Sequence, residues 1–462
     1  MTHDATLERS RGLTTKWFRA HERTCLITIL VTAAVLRGLL VACSPTSFGY
    51  VWDFYHDGVR ILWQTGHLPA STDCWQCYHP PFFYIAGLPL YAFGRSTAPD
   101  SATSDAHGLR WLAGLALVSS AITIYYGYRL LRLFRCRGGS LILGVALLAS
   151  LPVLFISSYG AEADVVLTAI LSAFIYYLTR DFTGPGSVTA AVRLGLLAGL
   201  GAATKYSGLV ALVSVVILFA IRIVFGPRRI LAARSATIVV VLCLAVGAWK
   251  YVDNYRHYAT FFHANGSAQQ GFSFSGNRAV GHHYEFTTLR MSELMHVFGP
   301  RSTRGALTDL PVYDSVFTTL HALAWSDMSF FSEPDRHGDP SHPYPRKRIS
   351  VGVIAAVLLL GFVPELLAVV GFVVTIRRRL FRPLAIISLV AVSAYAWWFM
   401  SQEAWALKTK YLLFLAAPFV VYTVSGLAYI WRRAPRLGVA AAVLMALLLA
   451  ATNVYLLAFA IA

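Results

Sequence analysis

Long apolar runs alternate with polar breaks along almost the whole chain. Runs at 25–43, 109–131, 140–158, 163–179, 191–204, 207–225, 236–251, 350–375, 383–400, 411–430 and 437–460 approach or exceed the roughly 20 residues that a helix needs to cross a bilayer. About eleven spanning helices are expected, with 191–204 the shortest run. Only two polar intervals are long, 44–108 and 252–349. In the first, Val51, Tyr55, Val59 and Leu62 recur at helical spacing, and Asp53, His56, Asp57 and Arg60 take the other side. That pattern predicts an amphipathic helix over 52–65, stopped by Gly66 and Pro69. Pro80 and Pro81 open a second apolar segment, 82–94, too short to span and rich in Phe and Tyr, which reads as a helix lying in the membrane interface. Residues 96–108 are rich in Ser, Thr, Asp, Pro and Gly and read as a connector. The interval 252–349 offers one apolar helix, 317–325. No internal repeat is present. The organisation expected is a basic tail, 1–24, and one membrane domain, 25–462, with elaborated outer loops.

Composition agrees. The chain is 57% hydrophobic and 13% charged, against about 25% charged in soluble domains. The fold class is thus an all-α polytopic membrane protein with amphipathic juxtamembrane helices in its first outer loop. The net charge of +17 invites a nucleic-acid reading, but its placement excludes one. Arg132, Arg135 and Arg137 follow the second run, Arg222, Arg228, Arg229 and Arg234 the sixth, Arg377, Arg378, Arg379 and Arg382 the eighth, and Arg432, Arg433 and Arg436 the tenth. Every second loop is basic, which is the positive-inside pattern, with some attraction to anionic lipid. The N-terminus is then cytoplasmic, and loops 44–108, 157–162, 252–349 and 401–410 lie outside. The stretch 40–43 resembles a lipoprotein cleavage site, but the long apolar run before it carries Arg37, unlike a signal-peptide core. Arg37 reads as snorkelling to the outer surface, with a ligand role as the alternative.

The candidate chemistry gathers in the outer loops. A helix would bring Asp53, His56 and Asp57 to one edge, where a carboxylate can deprotonate a hydroxyl or hold a cation; a solvated helix face is the plainer reading. Glu162 and Asp164 stand where a span begins, and they are either functional acids at the bilayer boundary or helix-capping groups. Lys205, Lys408 and Lys410, with Tyr411 beside them, fall at outer boundaries against the positive-inside tendency, which an outer anion such as a lipid phosphate would explain. Snorkelling lysines are the alternative. Cys74 and Cys77 face an oxidising compartment and suit a disulfide. A zinc site with His79 and His67 or Asp73 is the competing use.

In order along the chain, these features resemble the C-type glycosyltransferases, specifically relatives of protein O-mannosyltransferases and aminoarabinose transferases (glycosyltransferase family 39). Asp53 after Trp52, Gly66 to Pro69, and the segment His79, Pro80, Pro81, Phe82, Phe83, Tyr84 look like the first-loop acid, turn and Pro-Pro segment of that family. Residues 159–164 are similar to its second-loop acidic motif, 199–208 to its Gly-Leu-x-x-x-Thr-Lys segment, 249–258 to an aromatic, Asn-containing exit from a later span, and 410–418 to a C-terminal Arg-Tyr-x-x-Pro-like stretch. The match runs over residues 25–430. It departs where the family has Asp-Glu, since Phe54 follows Asp53. The resemblance implies a GT-C-like bundle and transfer of a sugar from a polyprenyl-phosphate donor to an acceptor hydroxyl of a protein, lipid or polysaccharide, outside the membrane and with inversion. It implies Asp53 as base, with Asp57 or His56 supporting it. It also implies that Glu162, Asp164, Lys205, Lys408, Lys410, Tyr411 and Arg37 face the donor and its phosphate, and that Tyr78 and His79 belong to the substrate loop. A divalent cation is left open and no other cofactor is implied. A transporter or flippase, or a scaffold that keeps the fold without turnover, are the other readings. The first predicts charges at span centres and broken helices, and the second is motivated by Phe54.

Overall fold

The computed structural model describes residues 18, 20–43, 55–160, 162–182, 187–263, 288–290, 315–326, 349–401 and 408–461. Among these residues the chain is helical, in the order α1 (Glu22–Cys43), α2 (Tyr55–Thr65), α3 (Phe82–Ser96), α4 (Ser104–Leu133), α5 (Gly139–Ala149), α6 (Pro152–Ser157), α7 (Ala163–Phe182), α8 (Val188–Thr204) and α9 (Leu209–Phe225). The order continues with α10 (Arg229–Gly247), α11 (Trp249–Tyr258), α12 (Val316–Trp325), α13 (Val351–Thr375), α14 (Arg382–Ser401), α15 (Ala416–Arg433) and α16 (Pro435–Ile461). Short 3₁₀ turns over Tyr206–Gly208, Arg379–Phe381 and Thr409–Leu415 lead into α9, α14 and α15.

Nine described helical stretches are long and apolar enough to cross a membrane, which makes this a multi-pass membrane protein. The other two expected spans are altered. The run 140–158 is not one helix: Leu151 turns to extended backbone and Pro152 starts a new helix, because proline disfavours a helical residue before it. The run 191–204 forms α8, a 17-residue helix capped by Ser187, whose side chain accepts from the Ala190 amide. The run 236–251 also shifts: α10 covers Arg229–Gly247, and Trp249 opens the separate helix α11.

Small residues set the helix spacing. Gly195 and Gly199 of α8 lie against the backbone of α10 at Val239 and Cys243. A Cβ on Gly371 of α13 would collide with the Tyr422 carbonyl of α15, and one on Gly426 with the Leu367 carbonyl. Lipid tails give no hydrophobic drive between helices, so such close backbone approach is what holds spanning helices together. The central helix is α7, buried around nearly its whole circumference. By contrast α1, α13 and α16 turn large apolar side chains outward, such as Val31, Leu366 and Val443, as lipid requires.

The basic loops meet at one end of the bundle. Glu22, at the start of α1, accepts from Arg132 (3.1 Å) and from the Gly138 amide (2.6 Å). Phe134 and Phe381 pack ring on ring, and Arg222 at the end of α9 donates to the Phe182 carbonyl at the end of α7. The 20 residues of α7 run from there to the other end, about 30 Å away, where α2, the loop after it, the end of α8 and the start of the 409–415 turn come together.

Candidate functional site

The loop between α2 and α3 is tied down first. Gly66, in the left-handed conformation with φ 71°, ends α2 by donating its amide to the Leu62 carbonyl. Cys74 and Cys77 form a disulfide. Both sulfurs are thereby committed, which overturns the zinc alternative. Tyr84 donates to the Gln76 carbonyl (2.6 Å), and Ser71 donates to Asn254 of α11 (3.0 Å). His79 is then enclosed by rings: Tyr55 stacked at 5.6 Å, Tyr78 at 4.1 Å and Tyr206 edge-on at 5.4 Å. Burial, and secondly the charge of Lys205, holds His79 well below the ordinary histidine range. Its Nδ1 has no hydrogen-bond partner among the described residues.

Two lysine–carboxylate pairs stand beside this aromatic wall. Lys205 is the single extended residue between α8 and the next turn, and the close approach of Gly208 to the Gly201 carbonyl makes so tight a break feasible. Its Nζ lies 2.7 and 2.8 Å from the two oxygens of Asp164, which stands in the first turn of α7. The ammonium also sits 4.4 Å from the Tyr411 ring centroid and 5.6 Å from that of Tyr55. Lys410 Nζ lies 3.1 Å from Glu162 Oε1. Lys408 is close enough to repel Lys205 electrostatically, and its main chain is held at both its N–H and its C=O by the Tyr395 hydroxyl. Three ammonium groups and two carboxylates thus gather in one region, with Lys205 and Asp164 buried and Lys408, Lys410 and Glu162 half-buried. Both carboxylates are engaged by ammonium groups, and no group of three or more His, Cys, Asp or Glu side chains positioned to hold a metal ion occurs among the described residues. The described residues therefore do not assemble a divalent-cation site.

The residues expected together thus do converge at Glu162, Asp164, Lys205, Lys408, Lys410, Tyr411, Tyr78 and His79. The rest of the first loop lies differently. Asp53 is outside the described residues, and α2 begins two residues beyond it. Asp57 lies 3.2 Å from Arg60, which is also paired with Asp105 at the start of α4. His56 is buried next to Asp57 (3.4 Å) and is pushed down to about 4, burial outweighing the pull of Asp57. These groups tie α2 to α4.

Arg37 corrects its expectation. It does not snorkel outward but is 4% exposed, donating to Ser120 Oγ (3.0 Å) and to the Ala33 carbonyl, with its guanidinium 5.3 Å from the Phe155 ring centroid. Arg37 lies on the one packed face of α1, with Ala33, Leu36 and Leu40, and is turned toward Ser120 of α4 rather than to the surface.

Three site residues escape the motif reading. Tyr55 and Tyr206 form the wall around His79, and Asn254, fully buried, joins Ser71 to the Tyr206 hydroxyl (2.8 Å). Tyr206 and Asn254 fall inside motifs that were matched, but aromatic residues at spanning boundaries are so common that position alone does not mark them.

The bundle has known counterparts. The apo crystal structure of the Archaeoglobus fulgidus oligosaccharyltransferase superposes with a TM-score of 0.52 at 16% identity, over 94% of this chain and 56% of that one. The same protein in complex with Zn and sulfate gives 0.49 at 17% identity, over 94% and 52%. ArnT from Cupriavidus metallidurans bound to undecaprenyl phosphate gives 0.40 at 14% identity, over 90% and 80%. The chain thus spans about half the length of the archaeal oligosaccharyltransferase. At these identities the likeness is one of fold, and the fold is GT-C. No family model and no curated protein sequence matches the chain.

Proposed function

We propose that this chain is a membrane glycosyltransferase that moves a sugar from a polyprenyl-phosphate donor to an acceptor hydroxyl. The observation that carries the reading is the cluster of buried Lys205 with half-buried Lys408 and Lys410 at the end of the bundle away from the arginine-rich loops, in a chain with the GT-C fold. Buried ammonium groups are costly unless they serve a charge, and a lipid phosphate at the bilayer boundary supplies one.

In this reading the acceptor oxygen attacks the anomeric carbon as the bond from that carbon to the phosphate oxygen breaks. The bonding pair leaves with the phosphate, the acceptor proton passes to a base, and the configuration inverts. Asp53 is the base by its place in the motif order, with Asp57 and His56 behind it holding α2 in place. Lys205 and Lys410 exchange part of their contact with Asp164 and Glu162 for the leaving phosphate, an electrostatic role that grows as charge develops. Lys408 adds to it, and Tyr411 keeps the Lys205 ammonium oriented. Arg37, buried against Phe155 of α6, adds positive potential. His79 Nδ1 and the Tyr78 ring face the sugar, polar atom and aromatic surface together.

The arginine-rich end favours a cytoplasmic placement of that end, and so an extracytoplasmic site. Surface glycans of cells with and without the protein, compared by mass spectrometry, test the function: loss of one sugar substituent is expected, and identical glycans when the protein is demonstrably produced would count against it.

A further inference from the structure

Helix α12 lies against α13, the 409–415 turn and α6, and it carries a histidine in an otherwise apolar sequence. His21, His67 and His107 sit at the ends of spans or in loops, but His321 is 4% exposed and faces the interior of a spanning helix. Its Nδ1 lies 2.8 Å from Glu365 Oε1 and its Nε2 lies 2.8 Å from the Leu358 carbonyl, both on α13. A main-chain carbonyl only accepts, so Nε2 carries a hydrogen. The Nδ1–Oε1 contact then holds a second proton, whichever atom owns it, and the pair is neutral as a unit. Trp325 Nε1 donates to the same carboxylate oxygen (2.7 Å), its indole lying on Gly361, and Phe362 stacks on the imidazole at 3.9 Å. Glu365 sits mid-way along α13, where an unbalanced carboxylate is costly.

The preceding residue connects this contact to the lysines. Leu320 offers its carbonyl to Thr409 Oγ1 (2.7 Å), and Thr409 stands between Lys408 and Lys410. Val316 and Leu320 pack with Tyr395 and Tyr411. The titratable groups on the described segments around α12 are Glu365 on α13, Lys408, Lys410 and Tyr411 at the 409–415 turn, Tyr395 on α14 and Arg290, whose amide bonds Thr318; α6 brings none.

We propose that His321 is a positioning residue: by bonding Glu365 and Leu358 at once it fixes α12 on α13, and through Leu320 and Thr409 it sets the lysine segment. The consequence for substrate rests on the reading of Lys408 and Lys410 as phosphate-facing; the mechanical coupling does not.

The test uses the full chain in nanodiscs, as wild type, His321→Gln, Glu365→Gln and the double variant. Hydrogen exchange is followed over 316–325 and 408–415, and farnesyl phosphate binding is measured by titration. His321→Gln, which cannot balance the carboxylate, is expected to speed exchange in both segments about tenfold and to weaken farnesyl phosphate about tenfold. Removing the carboxylate as well should bring both back to within about threefold of wild type, a rescue that mere loss of packing would not give. Unchanged exchange at 408–415 in His321→Gln, or a double variant no better than the single, overturns the proposal. If exchange behaves as expected but wild type does not bind farnesyl phosphate, the coupling stands and the phosphate reading fails. In Glu365→Gln one amide atom can donate to Nδ1 or accept from Trp325 but not both, so exchange should rise less than in His321→Gln; a rise as large as in His321→Gln overturns the role of charge balance at the histidine.

Discussion

Lys205 Nζ holds both carboxylate oxygens of Asp164, at 2.7 and 2.8 Å, across 41 residues of sequence. The contact joins the start of the central helix to the break after α8, and both side chains are almost fully buried. Removing one partner strands the other charge, at a cost of about 3–5 kcal/mol. Asp164→Asn should therefore lower the unfolding temperature clearly, while the double change Asp164→Leu with Lys205→Met should recover much of it and abolish binding of a polyprenyl phosphate. Thermal unfolding alongside a binding titration checks this, and an unshifted midpoint for Asp164→Asn would contradict it.

Acid should destabilise the protein through two histidines. His56 is pushed down to about 4 by burial, with Arg60 adding to that and Asp57 opposing it, and burial and Lys205 hold His79 well below its ordinary value. The unfolded chain titrates near 6.5, so between about 4 and 6.5 it binds protons that the folded state refuses. Stability is full above about 6.5 and falls as pH drops toward about 4, by roughly 3 kcal/mol at most from His56 once that pH is passed. Melting temperatures from pH 7.5 to 4.5 should fall less steeply in His56→Gln than in wild type; parallel curves would remove His56 from the account.

The close packing of α13 on α15 makes a separate prediction. An alanine methyl at Gly371 meets the Tyr422 carbonyl, which is backbone and cannot swing away. Gly371→Ala should cost about 1–3 kcal/mol, read as a lowered unfolding midpoint, whereas Gly114→Ala, in open space, should leave the midpoint unchanged or raised.

The spans were legible because apolar runs of that length have few other uses, and the ordered motifs told which loops would meet. Pairing was not. Glu162, Asp164, Lys205 and Lys410 each read as a boundary charge, and only folding shows that acids and lysines neutralise one another. Glu365 is a lone charge in the middle of an apolar run, and its partner His321 is 44 residues away in the apolar helix read over 317–325, whose pattern does not tell which span it packs against. Arg37 stands near a helix end, which in sequence suggests an exit that packing closes. The disulfide was legible as the leading reading of two cysteines three apart, with zinc as its competitor.

Asn254 should matter to the first loop rather than to its own helix. It takes a hydrogen bond from Ser71 and gives one to Tyr206, so Asn254→Leu leaves a buried hydroxyl unpaired at about 1–3 kcal/mol. Hydrogen exchange over 67–81 should rise while that of α11 stays unchanged; the reverse pattern would place the residue's role in α11.

The central claim is tested most directly by transfer itself. Membranes containing wild type, Asp53→Asn or Lys410→Gln are supplied with a labelled polyprenyl-phosphate sugar, and label leaving the donor is followed. Wild type should release the lipid phosphate and pass the label to acceptor, Asp53→Asn should be slower by about 10² to 10⁴, and Lys410→Gln should bind the donor more weakly. Full transfer by both variants, or donor bound by wild type without any turnover, would contradict the account.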